Sequence, residues 1–185
     1  MKKIALVVAA FLVCMITDAQ SLVSVPIVPS KEAKKEAKKI EKEGWKSMGR
    51  QSVEEQVERG FQLSSVLMED EESGEHQNRY ILTTAEAKDK DVEIAKTKAR
   101  AYCEAQMAQS LKTTVTSLIE REVKTRQESA TEAVTQEEIR MRAETISKAS
   151  IQKCHIIRLL AKKNEDGTSS VQMVLALDLK LLTIK

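Results

Sequence analysis

The stretch from Ile151 to Leu182, IQKCHIIRLLAKKNEDGTSSVQMVLALDLKLL, decides the fold. Two runs of apolar-rich sequence flank Glu165-Asp166-Gly167. Asp-Gly between such runs is a strong hairpin signal, because both residues tolerate positive φ. In the second run Val171, Met173, Leu175, Leu177 and Leu179 share one face of a strand. Ser170, Gln172, Asp178 and Lys180 share the other, with Val174 and Ala176 as exceptions. A two-residue turn at Asp166-Gly167 predicts pairs whose numbers sum to 333. Cys154 then opposes Leu179, Ile156 opposes Leu177 and Leu160 opposes Met173. Arg158 falls opposite Leu175 on the core face, a conflict that a bulge or an edge position would relieve. His155 falls opposite Asp178 on the outer face. That pair reads first as an exposed cross-strand contact. A hydrolase using His155 and Asp178 is the enzymatic alternative.

Working backward, Thr135 with Glu138 forms a capping box ahead of a helix carrying Ile139, Ala143 and Ile146. The pattern fades between Thr125 and Val134, where a bend or loop is expected. Asp91 opens the longest helical run, to about Lys124. Ala95, Ala99, Ala101, Ala105 and Ala108 fill its first part, followed by Leu111, Val115, Leu118, Ile119 and Val123. Small residues let such a helix lie close on a sheet. Arg79 to Ala87 (RYILTTAEA) reads as a strand. Glu69 to Gly74 (EDEESG) reads as a solvated acidic turn without calcium-loop spacing.

Further upstream, Ser52 and Glu55 form another capping box. Val53, Val57, Phe61, Ser64 and Met68 then line a helix. Ser30 caps a helix over KEAKKEAKKIEKE, whose apolar stripe is limited to Ala33, Ala37 and Ile40. Gly44-Trp45-Lys46-Ser47-Met48-Gly49 breaks it. Trp45 reads as a plug over the domain, with a recognition tryptophan as the alternative. Residues 20–30 carry both prolines and read as an extended tether.

The first residues have the layout of a secretory signal peptide: basic Met1-Lys2-Lys3, an uncharged apolar run from Ile4 to Ile16, and small residues at Thr17 and Ala19. Cleavage is expected after Ala19. The apolar run is too short to span a bilayer, which takes about 20 residues. Lipidation at Cys14 is the rival, but Val13 stands where a small residue is needed. Cleavage removes two Lys and one Asp, and the mature chain keeps a net charge of +1. No later segment is apolar and long enough to cross a membrane. The mature protein is expected to be soluble and periplasmic or extracellular.

The whole chain has 185 residues, 42% hydrophobic and 31% charged, enough for a packed core. Lys plus Arg is 30 against 28 Asp plus Glu, and aromatics are 3%, so bulk composition gives no reason to expect a nucleic-acid partner. No Gly-x-Ser-x-Gly elbow, phosphate loop, paired-His helix or Cys-x-x-Cys occurs. No cofactor and no metal is implied. Cys103 and Cys154 read as two buried thiols, with a disulfide between them as the alternative.

The order of strand, long Ala-rich helix, second helix and hairpin resembles the small envelope-lipoprotein family typified by the twenty-kilodalton membrane-associated lipoprotein. It is also similar to the N-terminal domain of flagellar assembly protein T. YILTTAEA, AKTKARAYCEAQMAQSL and the stretch from Ile146 to Leu179 carry the resemblance over somewhat more than half the chain. KEAKKIEKEGW resembles secreted proteins of Bacteroidetes-type bacteria with the same domain. The resemblance implies a helix-on-antiparallel-sheet domain of the cell envelope that acts by binding, and it brings no catalytic residues.

The expected architecture is therefore α+β, a long Ala-rich helix on a mainly antiparallel sheet of three or more strands, with an N-terminal helical extension. The parts are a signal peptide (1–19), a linker (20–30), a helical segment (31–72) and an α+β domain (73–185). The expected function is non-enzymatic binding of another envelope protein. Lys35, Lys38, Lys42 and Trp45 are the contact residues, since these helices look least needed by the core. Peripheral contact with a lipid or cell-wall surface through the Lys-rich helix is the alternative. The sequence carries no signal for an oligomeric state.

Overall fold

The computed structural model describes residues 27–69, 74, 76–127 and 135–182. The signal peptide, Cys14, most of the tether, residues 70–73 of the acidic turn and residues 128–134 of the expected bend lie outside the described residues. Glu69 belongs to a strand, and the helix expected to fade at Thr125 runs on to Gln127.

The described chain runs α1 (Lys31–Lys42), β1 (Lys46–Ser47), α2 (Val53–Ser64), β2 (Leu67–Glu69), β3 (His76–Asn78), β4 (Tyr80–Asp89), α3 (Val92–Gln127), α4 (Gln136–Ile151), β5 (His155–Lys163) and β6 (Ser169–Asp178). A four-stranded antiparallel sheet has the order β1-β5-β6-β4, and β2 pairs with β3 in a separate ribbon. The architecture is α+β, as the hairpin and the long helix predict.

The β5–β6 connection differs from the two-residue turn. Asn164 N–H donates to Thr168 C=O at 2.9 Å, and Gly167 N–H donates to Asn164 C=O at 3.1 Å. Three residues, Glu165 to Gly167, close the loop, and Gly167 takes the left-handed conformation at φ 79°. This is a type I turn followed by a left-handed glycine, the common three-residue solution. Pair sums drop to 332, so Arg158 faces Val174, away from the core face that Leu175 occupies. Beyond the bulge at Ile157 they drop again, and His155 faces Ala176. The shift takes Arg158 off the α3 face but onto the face covered by α2, where its Nε is buried without a hydrogen-bond partner among the described residues.

β6 has no exposed residue, because both faces of the sheet are covered. On one face Val171, Met173, Leu175 and Leu177 pack against Ala95, Ala99, Cys103, Met107 and Leu111 of α3. On the other, Val174 and Ala176 pack with Ile157, Leu82 and Leu63 of α2. The two exceptions in the β6 alternation are thus a second core. Ala101 and Ala105, expected inside, are exposed. The buried residues of α3 follow a spacing of four from Ala95 to Ile119, while a helix turns once per 3.6 residues. The stripe therefore winds around the helix, facing the sheet first. Later it meets Ile139 and Ala143 of α4 through Val115 and Ile119. Length requires this change of partner. At 36 residues α3 is about 54 Å long, whereas a ten-residue strand spans about 33 Å.

The caps follow the sequence. Ser52 and Glu55 form the box before α2, and Thr135 and Glu138 the box before α4. Asp91 Oδ1 accepts the Glu93 N–H at 2.7 Å to start α3. α2 stops at Ser64, short of Met68. There Ser64 and Ser65 hydroxyls donate to the carbonyls of Phe61 and Gln62, competing with the helical pattern. Met68 lies in β2 instead.

Candidate functional site: the N-terminal helices and a basic cleft

α1 ends in a Schellman motif. Gly44, at φ 89°, donates its N–H to Glu41 C=O, and Trp45 N–H reaches back to Ile40 C=O at 3.2 Å. The reversal drops the Trp45 ring into a core with Ala33, Ala37, Val53, Val57 and Leu160, against which Ile40 packs. Lys162 Nζ stands 4.6 Å from the ring centroid. Trp45 is 5% exposed, so it is the plug, and its expected role as a contact residue is corrected. The motif that turns the chain also buries the side chain.

The same packing corrects the expectation that the N-terminal helices are dispensable to the core. Ser30 N–H and Oγ both donate to Glu58 Oε2, at 3.0 and 2.6 Å, tying the start of α1 to α2. Those bonds hold the Glu58 carboxyl below its ordinary range. Gln56, buried on α2, accepts the Leu159 N–H of β5 at 2.7 Å. Its Nε2 donates to Ser47 Oγ and Gln51 C=O. In the sequence, the one sign of this role is a polar residue set between Val53 and Val57 on the apolar stripe of a helix.

Lys35, Lys38 and Lys42 are exposed on the side of α1 opposite Ala33 and Ala37. Spacings of three and four residues place them in one row. No ion pair engages them among the described residues, in contrast to Lys39, which meets Glu36 at 3.0 Å.

His155 and Asp178 are not brought together. The shifted register separates them, and Asp178 is held by Arg79, whose Nε lies 3.0 Å from Oδ1 and Nη2 2.5 Å from Oδ2. Burial pushes the Asp178 carboxyl up, but the bonds from Arg79 and the Lys180 N–H prevail and its pKa is lowered. Arg158 sits half-buried beneath α2, where Nη2 lies 3.4 Å from the position of a Cβ on Gly60. Burial disfavours its charge, partly offset by Glu36.

Cys103 and Cys154 are free thiols. Cys103 Sγ donates to the Met173 carbonyl at 3.3 Å, inside the α3 face of the core. Burial pushes the Cys154 thiol up to about 11, with the Glu104 carboxylate adding to the effect. Among the described residues no cluster of His, Cys, Asp or Glu has the makings of a metal site. Nor is any helix among them long and apolar enough to cross a membrane.

A cleft of about 600 Å³ opens where β1, the turn end of β5 and the start of α3 meet. Lys46, Lys90 and Lys163 rim it, and Met48, Val92 and Ala161 supply its apolar wall. Sequence reasoning had no means of finding it, because its lysines come from three distant segments. No family model, no curated protein and no solved structure matches the chain, so its functional reading rests on this geometry and on the sequence itself.

Proposed function

We propose that the chain is an exported cell-envelope protein that carries out no reaction and acts by binding an acidic surface of another protein. The row Lys35, Lys38 and Lys42 carries this reading. It is exposed, unpaired among the described residues and backed by a helix whose other side is anchored in the core. Anchoring matters because a row on a fixed helix presents its charges without a large ordering cost. Export is read from the first 19 residues.

A lipid surface is the second reading. The lysine row has no apolar residue beside it to enter the acyl boundary, which interfacial helices normally supply, so a protein partner is favoured. In-cell crosslinking of a tagged, natively expressed copy, followed by mass spectrometry, tests the proposal. One dominant envelope protein is expected, and it should be lost when Lys35, Lys38 and Lys42 are changed to Gln. Recovery of the chain alone, with salt-sensitive binding to anionic vesicles, would move the assignment to the lipid surface. Point substitutions are needed here, because deleting residues 20–50 would remove Trp45 and the core around it.

A further inference from the structure

The cleft beside the start of α3 stands apart from the α1 lysine row and leads to a different ligand. Lysines at this end of the sheet commonly find carboxylates. Lys88 meets Asp166 at 2.5 Å and Lys98 meets Asp89 at 2.6 Å. Lys46, Lys90 and Lys163, which rim the cleft, have no ion-pair partner among the described residues. Asp91 is the carboxylate in the wall, and its Oδ1 already accepts the N–H groups of Glu93 and Ile94. The net charge of the chain is only +2, so this grouping is a local excess. Lys162 also lines the cleft, but its side chain leaves the opposite face of the sheet and its ammonium stands over Trp45.

Position explains the convergence. Lys46 pairs with Ala161 across β1 and β5, so both side chains leave the sheet on the α3 face. Lys163 is two residues beyond Ala161 and shares that face. Lys90 comes from the connection that delivers the chain to α3. Between them, Met48, Val92 and Ala161 form an apolar floor.

We propose that this cleft binds a phosphate monoester, with the phosphate among Lys46, Lys90 and Lys163 and the organic part against Met48, Val92 and Ala161. With the Asp91 carboxylate in the wall, the three ammonium groups leave a charge that balances a phosphate dianion, and they offer charge-assisted hydrogen bonds to its oxygens. The volume leaves room for an organic group beyond the phosphate. Both a soluble organic phosphate and the headgroup of a phosphomonoester lipid have this chemistry.

Calorimetric titration of the purified chain with phenyl phosphate at low salt tests the first source. Flotation with phosphatidylcholine vesicles, with and without phosphatidic acid, tests the second. Saturable binding is expected in at least one arm, weakening as salt is raised. Changing Lys46, Lys90 and Lys163 together to Gln should weaken it by about tenfold or more. These lysines are exposed, and an unchanged melting curve will show that the variant folds. The Lys35, Lys38 and Lys42 variant should bind as the parent does, which separates this site from the partner surface. Binding in the vesicle arm alone, lost in the cleft variant, assigns the lipid source. No saturable binding in either arm, or equal binding by the cleft variant, overturns the proposal.

Discussion

The Leu159 amide donates to Gln56 Oε1 at 2.7 Å, joining residues 103 positions apart. This bond closes a gap in the sheet. β1 covers β5 only at Leu160 and Ala161, and Met48 N–H extends the cover to Leu159 C=O. The Leu159 N–H would otherwise be an unpaired donor at the sheet edge. Gln56 supplies the acceptor from α2, and its amide nitrogen secures Ser47 and Gln51 on the approach to that helix.

Changing Gln56 to Leu should therefore cost more than its small change in volume suggests. It leaves the Leu159 N–H without its acceptor, while the Ser47 hydroxyl keeps the Gly49 N–H and Gln51 C=O as partners. The orphaned N–H costs about 1–3 kcal/mol. Changing Gln56 to Glu keeps the acceptor but buries a carboxylate against the Gln51 carbonyl, so a loss at least as large is expected. Urea unfolding of the three proteins checks the order. Equal stability of the Leu variant and the parent would show that water replaces the clip.

Gln56 also marks where sequence reasoning stopped. The hairpin, the Ala-rich helix, the strand before it and all three side-chain caps were legible, because each rests on residues close together in the chain. The turn length was not. Asp-Gly fits two-residue and three-residue loops, and only the pairing of Asn164 with Thr168 selects between them. That single residue moved Arg158 from the α3 face to the α2 face, and with the Ile157 bulge it dissolved the His155–Asp178 pair. Val174 and Ala176 were noticed as exceptions, yet assigning them to a second core required knowing that α2 packs there. Of the candidate contacts, the α1 lysines were legible from helical spacing. The burial of Trp45 needed the turn at Gly44 in three dimensions.

Trp45 and the α1 lysines should separate in experiment. Trp45 fills a core shared by α1, α2 and Leu160, and its change to Ala is expected to cost about 3–5 kcal/mol. Changing Lys35, Lys38 and Lys42 to Gln should shift stability by no more than about 0.5 kcal/mol each. Thermal melts of both variants give the comparison. A Trp45→Ala protein as stable as the parent would argue that the N-terminal helices are not docked as described.

The Arg79–Asp178 pair predicts an acid-sensitive component of stability. The folded pKa of Asp178 lies below the ordinary 3.8. The stabilisation is therefore present above the unfolded value and is lost as pH falls through the folded one. Asp178→Asn should lower stability near neutral pH and flatten the loss between about pH 5 and pH 2. Arg79→Lys should fall between the parent and this variant, since an ammonium cannot reproduce the two-sided guanidinium contact. Unfolding midpoints measured across the acid range decide this. Parallel acid profiles for the parent and the Asn variant would assign the sensitivity to other carboxylates.

The two thiols give the opposite pH dependence. Burial raises Cys103, and burial with Glu104 raises Cys154 to about 11, whereas an exposed thiol titrates near 8.5. Folding thus favours the protonated form. The contribution of each is complete below its unfolded pKa and disappears as pH rises through its folded one, which for Cys154 is about 11. At about pH 8 iodoacetamide should modify the folded chain slowly at both positions, because little thiolate is present and access is restricted. Denaturing the unreduced protein should release both residues to rapid alkylation, read by peptide mass mapping. Failure of both to react until reductant is added would demonstrate a Cys103–Cys154 disulfide and replace the free-thiol description of this core.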